Sequence, residues 1–222
     1  MSKLIAIEGL DGSGKQTQSA LLKEALASAG YTVASIDFPR YGKKSAEFCE
    51  AYLQGEFGEN ANEINAYVAS SFFAMDRLVS YLNEWKNVYE ESDYLIADRY
   101  VTSNAIHQCG KLPREEWETF VSWLYDFEFA KLGLPKPDKV FYLNMPVEVN
   151  EQLLSARYAG DDSCKDIHES NDSYLRSCHE AAEWCCSRLG WERVECCREG
   201  ELRPIAEIHE EVSQRVVLTH EE

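Results

Sequence analysis

Five short runs of β-branched or apolar residues punctuate this chain: Leu4 to Ile7, Thr32 to Ile36, Tyr94 to Ala97, Lys139 to Leu143 and Glu192 to Cys196. Between them lie stretches of helical periodicity, namely Gln16 to Ala29, Asn62 to Tyr89, Arg114 to Lys131, Val147 to Arg157, Asp172 to Leu189 and Pro204 to Val217. Strands that alternate with helices pair in parallel through right-handed crossovers. The expected fold is therefore α/β, an open parallel five-stranded sheet with helices on both faces. Ligands of such sheets sit beyond the carboxyl ends of the strands, so function is expected in the loops after Ile7, Ile36, Ala97 and Leu143. The sequence contains no internal repeat and no Pro/Gly/Ser-rich linker, and residues 1–222 read as a single domain.

At 222 residues and 45% hydrophobic the chain can bury a sizeable core. Against 22 Lys and Arg stand 39 Asp and Glu, a formal charge of -17. A surface that acidic repels nucleic-acid polymers and anionic lipid headgroups. If the substrate is itself anionic, the few cations must be gathered in one place. The start of the chain lacks the apolar core and cleavage site of a signal peptide, and no later run approaches a membrane span, so a cytoplasmic location is expected. The eight cysteines include no C-x-x-C pair and are read as reduced thiols used as small hydrophobes.

The first strand runs into Gly9, Leu10, Asp11, Gly12, Ser13, Gly14, Lys15, Gln16 and Thr17, and a helix opens there. This is G-x-x-x-x-G-K in the strand-loop-helix setting of a phosphate-binding loop. Its glycines let successive N–H groups point inward, the helix N-terminus adds partial positive charge, and Lys15 reaches the β and γ phosphates of a nucleotide such as ATP. Gln16 stands where a Ser or Thr hydroxyl usually meets Mg²⁺. The Gln16 amide, the Thr17 hydroxyl, or phosphates and water with a carboxylate elsewhere are the alternatives. The third strand ends on Asp98, Arg99 and Tyr100. Asp98 is placed to hold Mg²⁺ through water, and Arg99 to clamp a phosphate with its planar fork of donors.

The run Ile7 to Lys15, then Phe38-Pro39-Arg40, then Phe73-Ala-Met-Asp-Arg77, then Asp98 to Gln108, resembles the thymidylate kinases in order and separation. The likeness covers nearly the whole chain, with a mobile lid over about residues 157–170. It implies transfer of the γ-phosphoryl of ATP to dTMP, with Mg²⁺, in a homodimer. Phe73 and Arg77 lie four apart, on one helix face; the resemblance implies that they stack on thymine and bond its 4-carbonyl. Arg40, after Phe38 and Pro39, is implied over the acceptor phosphate. Asp11 is implied at the deoxyribose 3'-hydroxyl, paired with an Arg. Ser103, Asn104 and Gln108 are implied to line the nucleoside pocket, Asn104 at the thymine N3 edge. His107 stands where many relatives carry Tyr or Phe against the sugar's 2' carbon.

The acceptor is a phosphate monoester with a second pKa of about 6, already a dianionic nucleophile, so no general base is required. Positive charge and alignment are what the transfer needs. Lys15, Arg99 and Mg²⁺ supply part. Because the phosphate loop holds Gly12 rather than Arg, the resemblance implies lid cations, of which Arg157 and Lys165 are the candidates. Two rival readings are a kinase of another deoxynucleotide or of a nucleoside, for which Glu8 is the candidate base, and a nucleotide-binding regulator without transfer.

Overall fold

The computed structural model describes residues 2–58, 60–157, 168 and 172–217. In chain order the elements are β1 (Lys3–Glu8), α1 (Lys15–Ser28), β2 (Val33–Asp37), α2 (Glu47–Leu53), α3 (Ala66–Ser80), α4 (Lys86–Glu91), β3 (Tyr94–Asp98), α5 (Val101–Cys109), α6 (Trp117–Tyr125), β4 (Lys139–Asn144), α7 (Val147–Arg157), α8 (Asp172–Leu189), β5 (Glu192–Glu195), β6 (Cys197–Arg198), β7 (Glu201–Leu202) and α9 (Ile205–Val217). β1 to β5 form one parallel sheet in the order β2-β3-β1-β4-β5. The order reverses at β1, so the loop after it opens onto the crevice where such sheets bind ligands.

Side chains of a strand alternate between faces, and the core divides accordingly. Ile5, Ile7, Ile96, Phe141, Leu143 and Val194 face Leu22 and Leu26 of α1 and Ile208, Val212 and Val216 of α9. Leu4, Ala6, Leu95, Ala97, Val140 and Tyr142 face the other way, with Val101 and Ala105 of α5, Phe120 and Leu124 of α6, and Leu175 and Cys178 of α8. The sheet is thus covered on both sides, as the alternation predicts. Among the described residues no helix is long and apolar enough to cross a membrane.

Several elements differ from the sequence expectation. The stretch Asn62 to Tyr89 is not one helix: α3 starts at Ala66, N-capped by Asn65, whose side chain accepts from the Val68 N–H, and a π-turn over Tyr81–Trp85 separates α3 from α4. The stretch Arg114 to Lys131 begins as a 3₁₀ turn and ends as a π-turn over Asp126–Lys131. β6 and β7, just after the fifth apolar run, pair as a short antiparallel hairpin that the sequence does not signal. α2 and α5 fall outside the stretches of expected helix. Eight of the nine residues of α5 are buried, the polar Thr102, Asn104, His107 and Gln108 among them.

Gly110, the residue that caps α5, packs against Cys178 of α8. A Cβ there would lie 2.7 Å from Cys178 Sγ and 3.1 Å from its backbone N. Gly110→Ala is expected to destabilise the protein by about 2 kcal/mol, since backbone on one side cannot yield; urea unfolding would register this as a lower midpoint.

Candidate active site

The carboxyl edge of the sheet carries the phosphate loop. Gly9, at φ 159, leaves no room for a side chain, because a Cβ would collide with the Ser13 hydroxyl and stand 3.1 Å from the Leu143 carbonyl. Gly14, the residue before α1, is left-handed at φ 87. Lys15 folds back into the loop and donates to the Leu10 carbonyl at 2.7 Å. Burial and the neighbouring Arg99 outweigh its acidic neighbours and push its pKa down to about 8.

Arg99 is the second cation. Its backbone is left-handed at φ 67, a conformation that costs a non-glycine residue energy and is found at functional sites. Its guanidinium forms a short ion pair with Asp11 and donates to His107 Nε2 at 3.2 Å. Burial alone would raise the Asp11 pKa, but Arg99 and Lys15 overcome that and hold it well below the usual carboxylate range. Asp11 therefore stays ionised and acceptor-only, paired with an Arg as the family resemblance implies.

A cleft of about 970 Å³ opens here, lined by Asp11, Gly12, Gly14, Lys15, Gln16 and Thr17 on one side and by Asp37, Phe38, Pro39, Tyr41, Asp98 and Arg99 on the other. Asp98 and Asp37 are register partners on adjacent strands. Burial raises the Asp98 pKa, and Asp37 and Asp11 push the same way against Lys15 and Arg99. Hard carboxylate oxygens crowded beside a phosphate cradle fit a hydrated magnesium ion, which takes one or two carboxylates and fills its other positions with water and phosphate.

Not all expected cations meet in this cleft. The Arg40 guanidinium is held by Glu84 at 2.8 Å, and its backbone N–H by Asp76, which also accepts from Ser45. Arg77 is buried in a two-point pair with Glu128, Nε at 2.7 Å and Nη2 at 2.6 Å. Removing either partner would strand the other in the interior at a cost of about 3–5 kcal/mol. Arg157 is the last residue of α7. Lys165 and the rest of the expected lid, apart from His168, lie outside the described residues.

The residues expected to line the nucleoside pocket lie on α3 and α5. Phe73 meets Tyr52 edge-on at 5.9 Å. Asn104 donates to the Ser70 carbonyl and to Glu128. Gln108 is fully buried with neither amide atom partnered. Ser103 does not face open space: its hydroxyl donates to Glu8 Oε2, while Glu8 Oε1 accepts from the Tyr100 N–H and the Thr102 hydroxyl. Burial raises the Glu8 pKa against these donors and Arg99. With both oxygens engaged, Glu8 holds α5 and is not free to serve as a base.

Sequence reasoning missed Glu128 and His168. Glu128 carries a faint signal, one acid between Phe127 and Phe129 in an apolar pattern, which demands a partner. His168 stacks on His107 at 5.4 Å and 16° and bonds Tyr52, which in turn accepts from Lys111 at 2.6 Å. Burial, then the neighbouring cations, drives the His107 pKa down to about 3, and His168 well below its usual value.

A phosphate loop and an acid-cation pair on the carboxyl edge of a parallel sheet define a P-loop phosphotransferase of small nucleotides. The sequence profile of the family described as "Thymidylate kinase" matches residues 7–190. A protein named "Thymidylate kinase" from Mycobacterium tuberculosis (strain ATCC 25618 / H37Rv) is 38% identical over 174 residues, 78% of each chain. The "Probable thymidylate kinase 1" of Saccharolobus solfataricus is 29% identical over 181 residues, 81% of this chain and 85% of its own. The human "Thymidylate kinase" is 28% identical over 143 residues, 64% of this chain and 60% of its own. The chain belongs to the thymidylate kinase family.

Both histidines are neutral when folded and take up protons when unfolded, so the unfolded state binds more protons below pH 6.5. Stability is expected to be full above that value and to fall on acidification, by about 1 kcal/mol per histidine at pH 5.5. Thermal melts from pH 8 to 5 would show a declining Tm, and the decline would be shallower in His107→Phe.

Proposed function

We infer that this chain catalyses transfer of the γ-phosphoryl group of ATP to dTMP, giving dTDP and ADP. The observation that carries the reading is that the phosphate loop and the Phe38-Pro39 and Asp98-Arg99 segments line one cleft, so donor and acceptor phosphates share the same cations. Lys15 draws the β and γ phosphates, and Arg99 bridges the migrating group while its pair with Asp11 fixes its fork. Asp98, with Gln16 or Thr17 nearby, would hold Mg²⁺, which when bound neutralises charge on the β and γ oxygens. Arg157 and Lys165 are the lid cations in this account.

The thymine lies against Phe73, with Arg77 and Asn104 at its polar edge and Gln108 below. Asp11 takes the 3'-hydroxyl. His107, smaller than the aromatic ring of many relatives, stands against the 2' carbon. Arg40 serves the acceptor phosphate after leaving Glu84. The engaged state of Glu8 speaks against a nucleoside acceptor, whose 5'-hydroxyl needs a base. The whole chain acts as one domain in the cytoplasm.

ADP release from ATP and Mg²⁺ should be greatest with dTMP among dTMP, dUMP, dCMP and thymidine, and Lys15→Met should lower kcat by at least about a hundredfold while leaving the fold intact. Equal turnover with dCMP or thymidine would refute the substrate assignment. Turnover retained in Lys15→Met would remove Lys15 from the mechanism.

The family resemblance also carries a homodimer. α3 and the π-turn after it support it: Val68, Phe72, Met75 and Val79 of α3 and Leu82 of the turn recur every three or four residues, and Val68, Val79 and Leu82 are exposed. Light scattering should give twice the 25.4 kDa chain mass, and the double variant Val79→Glu, Leu82→Glu should give a single chain. A wild-type mass of one chain would end the proposal.

A further inference from the structure

Arg77, Asn104 and Glu128 arrive from α3, α5 and the π-turn after α6, and meet in the interior. Glu128 is fully buried, and its two oxygens serve three donors: Arg77 Nε, Arg77 Nη2 and Asn104 Nδ2. We propose that Glu128 sets which pyrimidine edge the site accepts. By fixing the Asn104 amide and the Arg77 fork it admits a keto-imino pyrimidine and refuses an amino pyrimidine. The inference rests on the reading that the base lies against Arg77 and Asn104, and it makes Glu128 a positioning residue rather than a catalytic one.

The Asn104 amide has only one workable orientation. Its Nδ2 lies 3.2 Å from Glu128 Oε1 and 3.3 Å from the Ser70 carbonyl, both of which only accept. Turned over, Oδ1 would face two acceptors and each would lose its hydrogen. Among the described residues no donor reaches Oδ1, so an acceptor is left for the ligand. An acceptor suits the N3–H of thymine or uracil. Against cytosine, whose N3 is a lone pair, it is repulsive.

Arg77 imposes the same choice at the next ring position. Guanidinium only donates, and Glu128 takes Nε and one hydrogen of Nη2, while Nη1 leans on the Tyr100 carbonyl at 3.4 Å. The remaining hydrogens suit a 4-keto oxygen and oppose a 4-amino group. Asn104 alone, with only the Ser70 carbonyl at 3.3 Å, would be free to turn and offer its N–H to cytosine N3. Glu128 removes that freedom without touching the base.

The test is binding of dTMP, dUMP and dCMP to the full chain by calorimetry, for wild type, Glu128→Gln, Glu128→Asp and Asn104→Ala. In Glu128→Gln the new amide brings a donor among donors, and the preference for dTMP and dUMP over dCMP should shrink by at least about tenfold, the two keto-imino nucleotides falling together. A merely structural role would weaken all three alike and leave the ratio unmoved, which would overturn the proposal. Glu128→Asp keeps a negative charge for Arg77 in the interior but, one methylene shorter, draws the carboxylate back from both Arg77 and Asn104, so it should lose at least about threefold of the preference. If thermal melting shows that the Gln variant does not fold, an unchanged ratio in the Asp variant overturns the proposal. Asn104→Ala separates the underlying reading: unaltered dTMP affinity there would mean that the base lies elsewhere.

Discussion

A carboxylate without solvent ties this structure together. Glu8 ends the first strand, is fully buried, and receives the Tyr100 N–H and the hydroxyls of Thr102 and Ser103. All three donors belong to the turn leaving β3 and the first turn of α5, so one side chain on β1 satisfies the opening N–H and hydroxyls of the helix next door. The anion at the helix N-terminus is favoured by the dipole as well. Through α5 the same anchor sets Asn104, His107 and Gln108 relative to the phosphate loop that begins one residue after Glu8. The spacing between the phosphate loop and the buried polar residues of α5 is thus fixed by hydrogen bonds in the protein interior.

The charge balance follows the same logic of pairing. Four cations expected at the site have acidic partners: Lys15 and Arg99 share Asp11, Arg40 has Glu84, Arg77 has Glu128. A guanidinium held by two points loses little freedom when it later meets a ligand, because its orientation is already set. The surplus of acids in this chain is therefore partly structural. It is spread over the positions that aim the few cations, and the rest faces water.

How much of this can be read from the sequence depends on how local each signal is. The phosphate loop and the strand-helix alternation are legible because their residues are contiguous or periodic, and the five strands lie where their apolar runs are. α5 is hard to read as a helix because it is only nine residues long and buries polar Thr102, Asn104, His107 and Gln108 beside its apolar ones, though its residues are legible through the family likeness. The Arg77–Glu128 pair spans 51 positions, and nothing in the spacing of either residue announces the other. The same holds for Arg40 and Glu84, where proximity arises only once α3 is laid beside the loop after β2. The π-turns are equally silent, since an extra residue in a helix is a response to tertiary packing.

The cysteines have a consequence of their own. Cys49, Cys109, Cys178, Cys185 and Cys196 are buried as free thiols, and burial lifts their pKa values, to about 12 for Cys49, Cys109, Cys178 and Cys196. The thiolate is the form that oxidants and alkylating agents attack. In the folded protein these sulfurs hold almost none of it, so their chemistry is suppressed twice, by access and by protonation. They become reactive only when the fold opens, which makes the inventory of modified sulfurs in an aged sample a record of how often, and how widely, the molecule has come apart.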